Sequence, residues 1–282
     1  MSRERTQRKN PVPAALPVVH AQILRRNGAA KSKQKMDVLA AEEPLEIRVH
    51  GRSVAVTMRT PGHDRELAAG FLLTEGIINE RKDLIEILHC RAAAAPDNTL
   101  NVFLAPSVKV DFAQLTRHVF ATSSCGLCGK ASIESVHQHF PPVKAKLKIA
   151  ARILTQLPAL MRDAQQTFAR TGGLHAAAVF GAKGELVVLR EDVGRHNAVD
   201  KVLGFGFLER KFPFDAHTLL VSGRASFEIM QKALAARIPI VCALSAPSSL
   251  AVEFARESNQ TLVGFLRGDT MNIYAGAERI RS

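Results

Sequence analysis

A chain of 282 residues, 46% hydrophobic, is long enough to bury one large core or two modest ones. Its longest apolar runs, such as residues 238–244, are of strand length and far short of the ~18 to 20 residues a membrane-spanning helix needs, so a transmembrane protein is excluded. Four cysteines, two in Cys125-Gly126-Leu127-Cys128 and two isolated at Cys90 and Cys242, make no disulfide framework and suit a reducing cytoplasm.

The net charge of +12 is unevenly placed. Residues 1–36 hold nine Lys/Arg against the single acid Glu4, so eight of the twelve net charges belong to this stretch and the body is only mildly basic. That distribution argues against nucleic acid as a partner and leaves a solvated, disordered tail as the expectation. A signal peptide is disfavoured, because residues 11–24 are broken by Pro11, Pro13, Pro17 and His20.

After the tail, residues 45–49 and 54–58 alternate apolar with polar around His50-Gly51-Arg52-Ser53, the pattern of a β-hairpin. Asp64 is placed to cap a helix over 65–77, and strands follow over 84–90 and 100–104, so residues 37–147 read as an α+β domain. The basic, Pro-bearing stretch 141–148 marks a seam. Beyond it, 153–171 reads as an amphipathic helix, 176–180 and 186–190 as a hairpin, and 195–208 as a helix. Strands at 218–221, 240–244 and 261–266, separated by helices at 226–237 and 248–258, make a βαβαβ run with parallel strands, so residues 148–282 form an α/β domain.

Ligands in such sheets settle where strands end and turns expose backbone amides. The turns here are Ser222-Gly223-Arg224-Ala225-Ser226, Ser245-Ala246-Pro247-Ser248-Ser249 and Arg267-Gly268-Asp269. Gly223 permits a tight turn beside Arg224, which suits a phosphate, and a carboxylate such as Asp269 can pair with the N1 and N2 donors of guanine. Thr171-Gly172-Gly173-Leu174-His175 and the stretch 190–201 are equally polar, and Arg195, His196, Asn197 and Lys201 are suited to phosphate, pterin or guanine edges. The plainer reading of that stretch is a helix start capped by Asp192 with Lys201 in solvent, and His175 reads equally as a satisfied core histidine.

Cys125 and Cys128 lie among Ser and Gly just before residues 131–136. Thiols at a helix N-terminus near Lys130 have a lowered pKa, which arms them for sulfur exchange, and a second thiol can resolve what the first forms. A structural zinc would need further ligands from Cys90, Cys242, His137 and His139, whose spacing is poor. The zinc deaminase template fails, because the CxxC precedes His175 and Ala177 stands where the catalytic Glu belongs. G-x-G-x-x-G, Walker and G-x-S-x-G patterns are absent.

Taken together, these segments resemble the formate dehydrogenase accessory sulfurtransferases, FdhD. The resemblance spans roughly residues 40–275 through Arg59-Thr60-Pro61-Gly62, residues 66–72, the CGLCG segment, Thr171 to His175, residues 191–201, Ser222-Gly223-Arg224 and Phe265-Leu266-Arg267. It implies a cytidine deaminase-like three-layer C-terminal domain without deaminase chemistry. It also implies a cytoplasmic carrier that takes persulfide sulfur from a cysteine desulfurase and passes it to the molybdenum cofactor, bis-molybdopterin guanine dinucleotide with molybdenum or tungsten, before insertion into formate dehydrogenase. By the same resemblance Cys125 matches the persulfide cysteine, Cys128 its accessory thiol, and Phe265, Leu266, Arg267, Gly268, Asp269 and Thr270 the segment for the guanine dinucleotide. Ser222, Gly223, Arg224, His175, Arg195 and His196 are expected to complete the cofactor site, guanine nucleotides to act as partial mimics, and the protein to form a homodimer. The rival expectation is a cofactor-binding chaperone without enzymatic activity whose CxxC holds a structural metal.

Overall fold

The computed structural model describes residues 17–28, 32–112, 136–137 and 139–282. Cys125, Cys128 and residues 131–135 of the expected helix after them lie outside the described residues, while Val136, its last expected residue, is helical. Part of the stretch expected to be disordered is ordered: β1 (Val18–Arg25) and β2 (Lys33–Ala40) pair antiparallel, Val18 opposite Ala40 and Arg25 opposite Lys33. Val19, Ala21 and Ile23 alternate with His20 and Gln22 in the middle of β1, a short period-2 signal hidden beneath the charge of the segment.

The four-stranded sheet that follows has the order β4-β3-β6-β5 and is built from β3 (Glu43–Val49), β4 (Arg52–Arg59), β5 (Leu84–His89) and β6 (Thr99–Leu104). The β3–β4 turn is made by His50 and Gly51, both at positive φ, the twist that a two-residue hairpin turn demands. Helix α1 (Asp64–Thr74) covers one face, packing Leu67, Leu72 and Leu73 onto Leu45, Ile47, Leu100 and Val102. Asp64 is not its cap. It is the first helical residue, and its carboxylate holds the buried Arg59 through two hydrogen bonds of 3.0 and 2.9 Å.

The larger sheet, order β13-β12-β11-β10-β8-β9, comprises β8 (His175–Gly181), β9 (Leu186–Asp192), β10 (His217–Val221), β11 (Ile240–Ala243), β12 (Thr261–Arg267) and β13 (Thr270–Ala275). β10, β11 and β12 run parallel as expected, while β13, not foreseen, turns back antiparallel to β12. Strand order advances in one direction, so right-handed crossovers bring α5 (Phe227–Ala235) and α6 (Ser249–Glu257) to one face, where α4 (Arg195–Leu208) joins them. The opposite face packs on Leu154, Leu157 and Met161 of α2 (Ala151–Ala164). The single helix expected over 153–171 is two, α2 and α3 (Gln166–Thr171), parted at Gln165. A short parallel pair, β7 (Ile149–Ala150) with β14 (Ile280–Arg281), ties the last residues to the start of α2. The fold is mixed α/β.

The two sheets are joined by a close crossing of α1 and α4. A Cβ on Gly70 would stand 1.8 Å from Asp200 O, and one on Gly204 would stand 1.8 Å from Glu66 O, so each helix offers a glycine to the other's backbone.

Candidate functional site

β8 is antiparallel to β10, with Ala177 opposite Val221, so the start of β8 lies at the same edge of the sheet as the carboxyl ends of β10, β11 and β12. The end of β9 joins them, since Asp192 pairs with His175. This single edge collects nearly every expected ligand residue: His175 at the head of β8, Arg195 and His196 at the start of α4, Ser222, Gly223 and Arg224 after β10, and residues 267–270 at the β12–β13 turn. The turns continue the ladder beyond the strands. Leu244 N–H donates to Val221 O (3.1 Å), Ser248 N–H to Ala225 O (3.0 Å) and Phe265 N–H to Ser245 O (3.2 Å). From β12 to β9 are four interstrand steps of ~4.8 Å, so the edge is on the order of 19 Å long, room for an extended dinucleotide.

At the centre, Gly223 passes close to two side chains: its missing Cβ would lie 3.5 Å from His175 Nδ1 and 3.9 Å from Arg195 Cδ. Ser222 Oγ accepts from Ala176 N–H (2.9 Å), which pins β8 to this turn and keeps the hydroxyl hydrogen to donate. Arg195 Nε is buried and, within the described residues, has no hydrogen-bond partner. Burial first, then the Arg195 charge, lowers His175 below the usual histidine range. His196 is pushed down to about 4 by burial, then by Lys232 and Arg195, so it is neutral at neutral pH. Its Nε2 lies 3.5 Å from Ser226 Oγ. Glu228, in the first turn of α5, was not foreseen; burial works to raise its carboxyl, but Ser226, its own backbone amide, His196 and Arg195 outweigh that and lower it. The signal was present as an acid two residues after Ser226, in the turn already singled out.

At the other end, Phe265 (φ +51) and Gly268 (φ +50) kink the β12–β13 ribbon, and Phe265, Arg267, Gly268, Asp269 and Thr270 are exposed. Arg267 Nε donates to Leu244 O (2.8 Å), tethering the guanidinium to the neighbouring turn. Leu266 is the exception: its side chain is buried with Leu220, Cys242 and Val263, leaving only its backbone at the edge.

The plain reading of residues 190–201 is corrected. Asp192 does not cap α4, whose cap position is Gly194, and Lys201 is not solvated. The two form an ion pair of 2.7 Å with side chains 0% and 1% exposed, and Lys201 also donates to Thr60 O (2.8 Å). Asp192 accepts from Thr60 N–H, Gly194 N–H and Asn197 Nδ2, while Asn197 Nδ2 also donates to Met58 O (2.7 Å). Asp200 turns the other way, and Lys232 donates to both its oxygens at 2.9 Å and to Thr74 Oγ1. Asn197 and Lys201, expected as ligand groups, thus bind the first sheet to the second.

Of the two described cysteines, Cys242 makes a poor sulfur carrier. Burial in the sheet pushes the Cys242 thiol up to about 12, and Cys90 is half-buried just past β5. Among the described residues no three His, Cys, Asp or Glu side chains cluster as a metal site, and His137, weighed as a zinc ligand, stacks on Phe254 and meets Ser258 Oγ at 2.9 Å. No helix among the described residues is long and apolar enough to cross a membrane.

A model of the FdhD/NarQ family matches residues 40–281. The chain belongs to the FdhD/NarQ family. Among its FdhD relatives, the sulfur carrier protein FdhD of Mycobacterium tuberculosis is 53% identical over 253 residues, covering 86% of this chain and 92% of that protein. The sulfur carrier protein FdhD of Streptomyces coelicolor is 52% identical over 266 residues, with 90% and 92% covered. A crystal structure from Desulfotalea psychrophila, of a protein assigned as a formate dehydrogenase accessory protein, superposes with a TM-score of 0.75 at 25% identity, covering 94% of this chain and all of that one.

Proposed function

We propose that this protein is a cytoplasmic sulfur carrier that takes persulfide sulfur from a cysteine desulfurase and delivers it to bis-molybdopterin guanine dinucleotide before that cofactor enters formate dehydrogenase. The names of the FdhD relatives support the carrier role. The observation that carries the cofactor reading is the gathering of Arg195, Arg224, Arg267, His175, Gly223 and Asp269 along one sheet edge.

The cofactor, molybdenum or tungsten form, is the substrate. Arg267 and the Ser222-Gly223-Arg224 turn hold its phosphates, Asp269 takes the guanine N–H donors with Phe265 beside it, and Glu228 offers a second carboxylate to the same donor pattern on the pterin. Cys125 as thiolate attacks the outer sulfur of the desulfurase persulfide; a Cys125 S–S bond forms, the desulfurase thiolate leaves, and the persulfide proton travels with the transferred sulfur. In delivery the Cys125 S–S bond would break with Cys125 leaving as thiolate and the persulfide proton released to solvent; the substrate's metal, arriving reduced, would supply the two electrons that turn the outer sulfur into sulfide and would end oxidised by two with that sulfide as a terminal ligand. Cys128 is the accessory thiol. A homodimer fits a cofactor that is itself two-fold.

The test is peptide mass spectrometry of reduced, metal-free protein after incubation with a cysteine desulfurase and cysteine, beside Cys125→Ser and Cys128→Ser. One added sulfur on the Cys125 peptide, lost on replacing Cys125, is the expected result. No added sulfur, with zinc recovered from untreated protein, would replace the carrier by a chaperone whose CxxC holds a structural metal.

A further inference from the structure

The β1–β2 hairpin contributes nothing to the ladder at the sheet edge, yet its base is fixed beside it. Val18 and Ala41 are buried, Ala41 N–H donates to Pro17 O (2.9 Å), and Ala40 faces Gly173, two residues before His175, where an added Cβ would lie 3.7 Å away. From this base eight residues of strand reach roughly 26 Å. Large apolar side chains are exposed on both faces of the arm. Val19 (49%) stands opposite Leu39 (42%), and on the other face Met36 (57%) lies diagonal to Leu24 (70%). A two-stranded hairpin is marginal in water on its own, so such residues gain from cover.

The two strands differ in how they guard their outer edges. β2 carries Lys33 and Lys35, the kind of charge that deters further pairing, whereas β1 has no proline and no charge before Arg25. Among the described residues β1 pairs with β2 alone, so its outer N–H and C=O groups form a template for another strand. Around that template Arg25, Arg26, Lys33 and Lys35 are all exposed, against the one acid Asp37.

We infer that β1 accepts, as a third strand, an extended acidic segment of the enzyme that receives the cofactor, seating that enzyme beside the sheet edge. The identity of the partner rests on the carrier reading above. The partner is a protein rather than a nucleic acid because the apolar side chains occupy both faces of the arm, where a phosphate backbone offers them nothing.

Hydrogen exchange of the full-length protein, with and without purified apo formate dehydrogenase of the same organism, tests this. The expected result is protection of amides 18–25 in a complex that weakens as salt rises. Val19→Lys with Leu24→Lys, and separately Arg25→Glu with Arg26→Glu, should each weaken the complex by at least about tenfold. All four positions are exposed, so folding, GDP affinity and sulfur loading of Cys125 should stay unchanged. Unchanged affinity in both variants, no complex with the apoenzyme, protection of β1 that grows with the protein's own concentration, or preferential binding of duplex DNA would each overturn the inference. Loss of GDP binding or of Cys125 loading in the wild type would strike the carrier reading instead.

Discussion

Asp192, Asn197, Asp200 and Lys201 alternate in sequence with Arg195 and His196, yet the two sets lie in different surroundings. The first set is buried and spends its hydrogen bonds on Met58, Thr60, Thr74 and Lys232, joining α4 to the first sheet and to α5. The second set faces the sheet edge, where Arg195 retains a buried Nε with no partner among the described residues. A dense polar stretch is therefore two devices interleaved at helical spacing. Burial and partner count separate them where residue type does not: Lys201 and Arg195 are both cations of α4, but among the described residues Lys201 meets a carboxylate and a carbonyl while Arg195 Nε meets nothing.

The sharpest way to break this division is to remove one charge from the buried set. Lys201→Met leaves Asp192 uncompensated at zero exposure, and losing one partner of a buried pair costs ~3 to 5 kcal/mol, read as a lower urea midpoint. Arg195→Gln, at the rim, should stay within ~0.5 kcal/mol of wild type in the same experiment. Equal losses in the two variants would mean that the sets are not distinct.

A pH titration sharpens the comparison from the other side. His196 has a folded pKa of about 4 against an ordinary value of 6.5, so the unfolded chain takes up a proton that the folded chain refuses. Stability from this group is complete above pH 6.5, falls as pH drops towards 4, and is level below that. The shift corresponds to ~3 kcal/mol at most. His196→Gln should flatten this part of the stability profile, and the His196 imidazole resonances of the wild type, identified by their absence in the variant, should titrate near 4 by NMR. A normal titration near 6.5 would show that neither burial nor the charges of Lys232 and Arg195 act on it.

Much of this was legible in the sequence. The parallel β10, β11 and β12, the α4 boundaries and the turns of the sheet edge follow from periodicity and from Gly and Ser at strand ends, which are local signals. What was missed depends on distant partners. Lys201 reads as a surface lysine until Thr60 and Asp192 arrive from opposite sides, and Lys232 until α4 delivers Asp200. β13 was hidden because its residues are largely exposed on an edge strand, and β1–β2 because charge outweighed a weak alternation. Leu266 was placed at the ligand edge by its neighbours in sequence, although successive residues of a strand point to opposite faces.

The mildest perturbation lies at the far end of the edge and separates binding from folding most cleanly. Arg267 is exposed, and among the described residues its side chain donates only from Nε, to Leu244 O, which leaves Nη1 and Nη2 to meet a phosphate. Arg267→Ala should weaken GDP binding by ~1.5 to 3 kcal/mol, the usual worth of a charge-assisted hydrogen bond, when measured by calorimetry. The urea midpoint should not move, because nothing buried is lost. Arg267→Lys should recover only part of the affinity, since an ammonium cannot hold Leu244 O and a phosphate in the fixed geometry of a guanidinium. If instead Arg195→Gln abolishes GDP binding while Arg267→Ala leaves it intact, the guanine end of the cofactor lies over His175 and Gly223, and the dinucleotide runs along the sheet edge in the opposite direction.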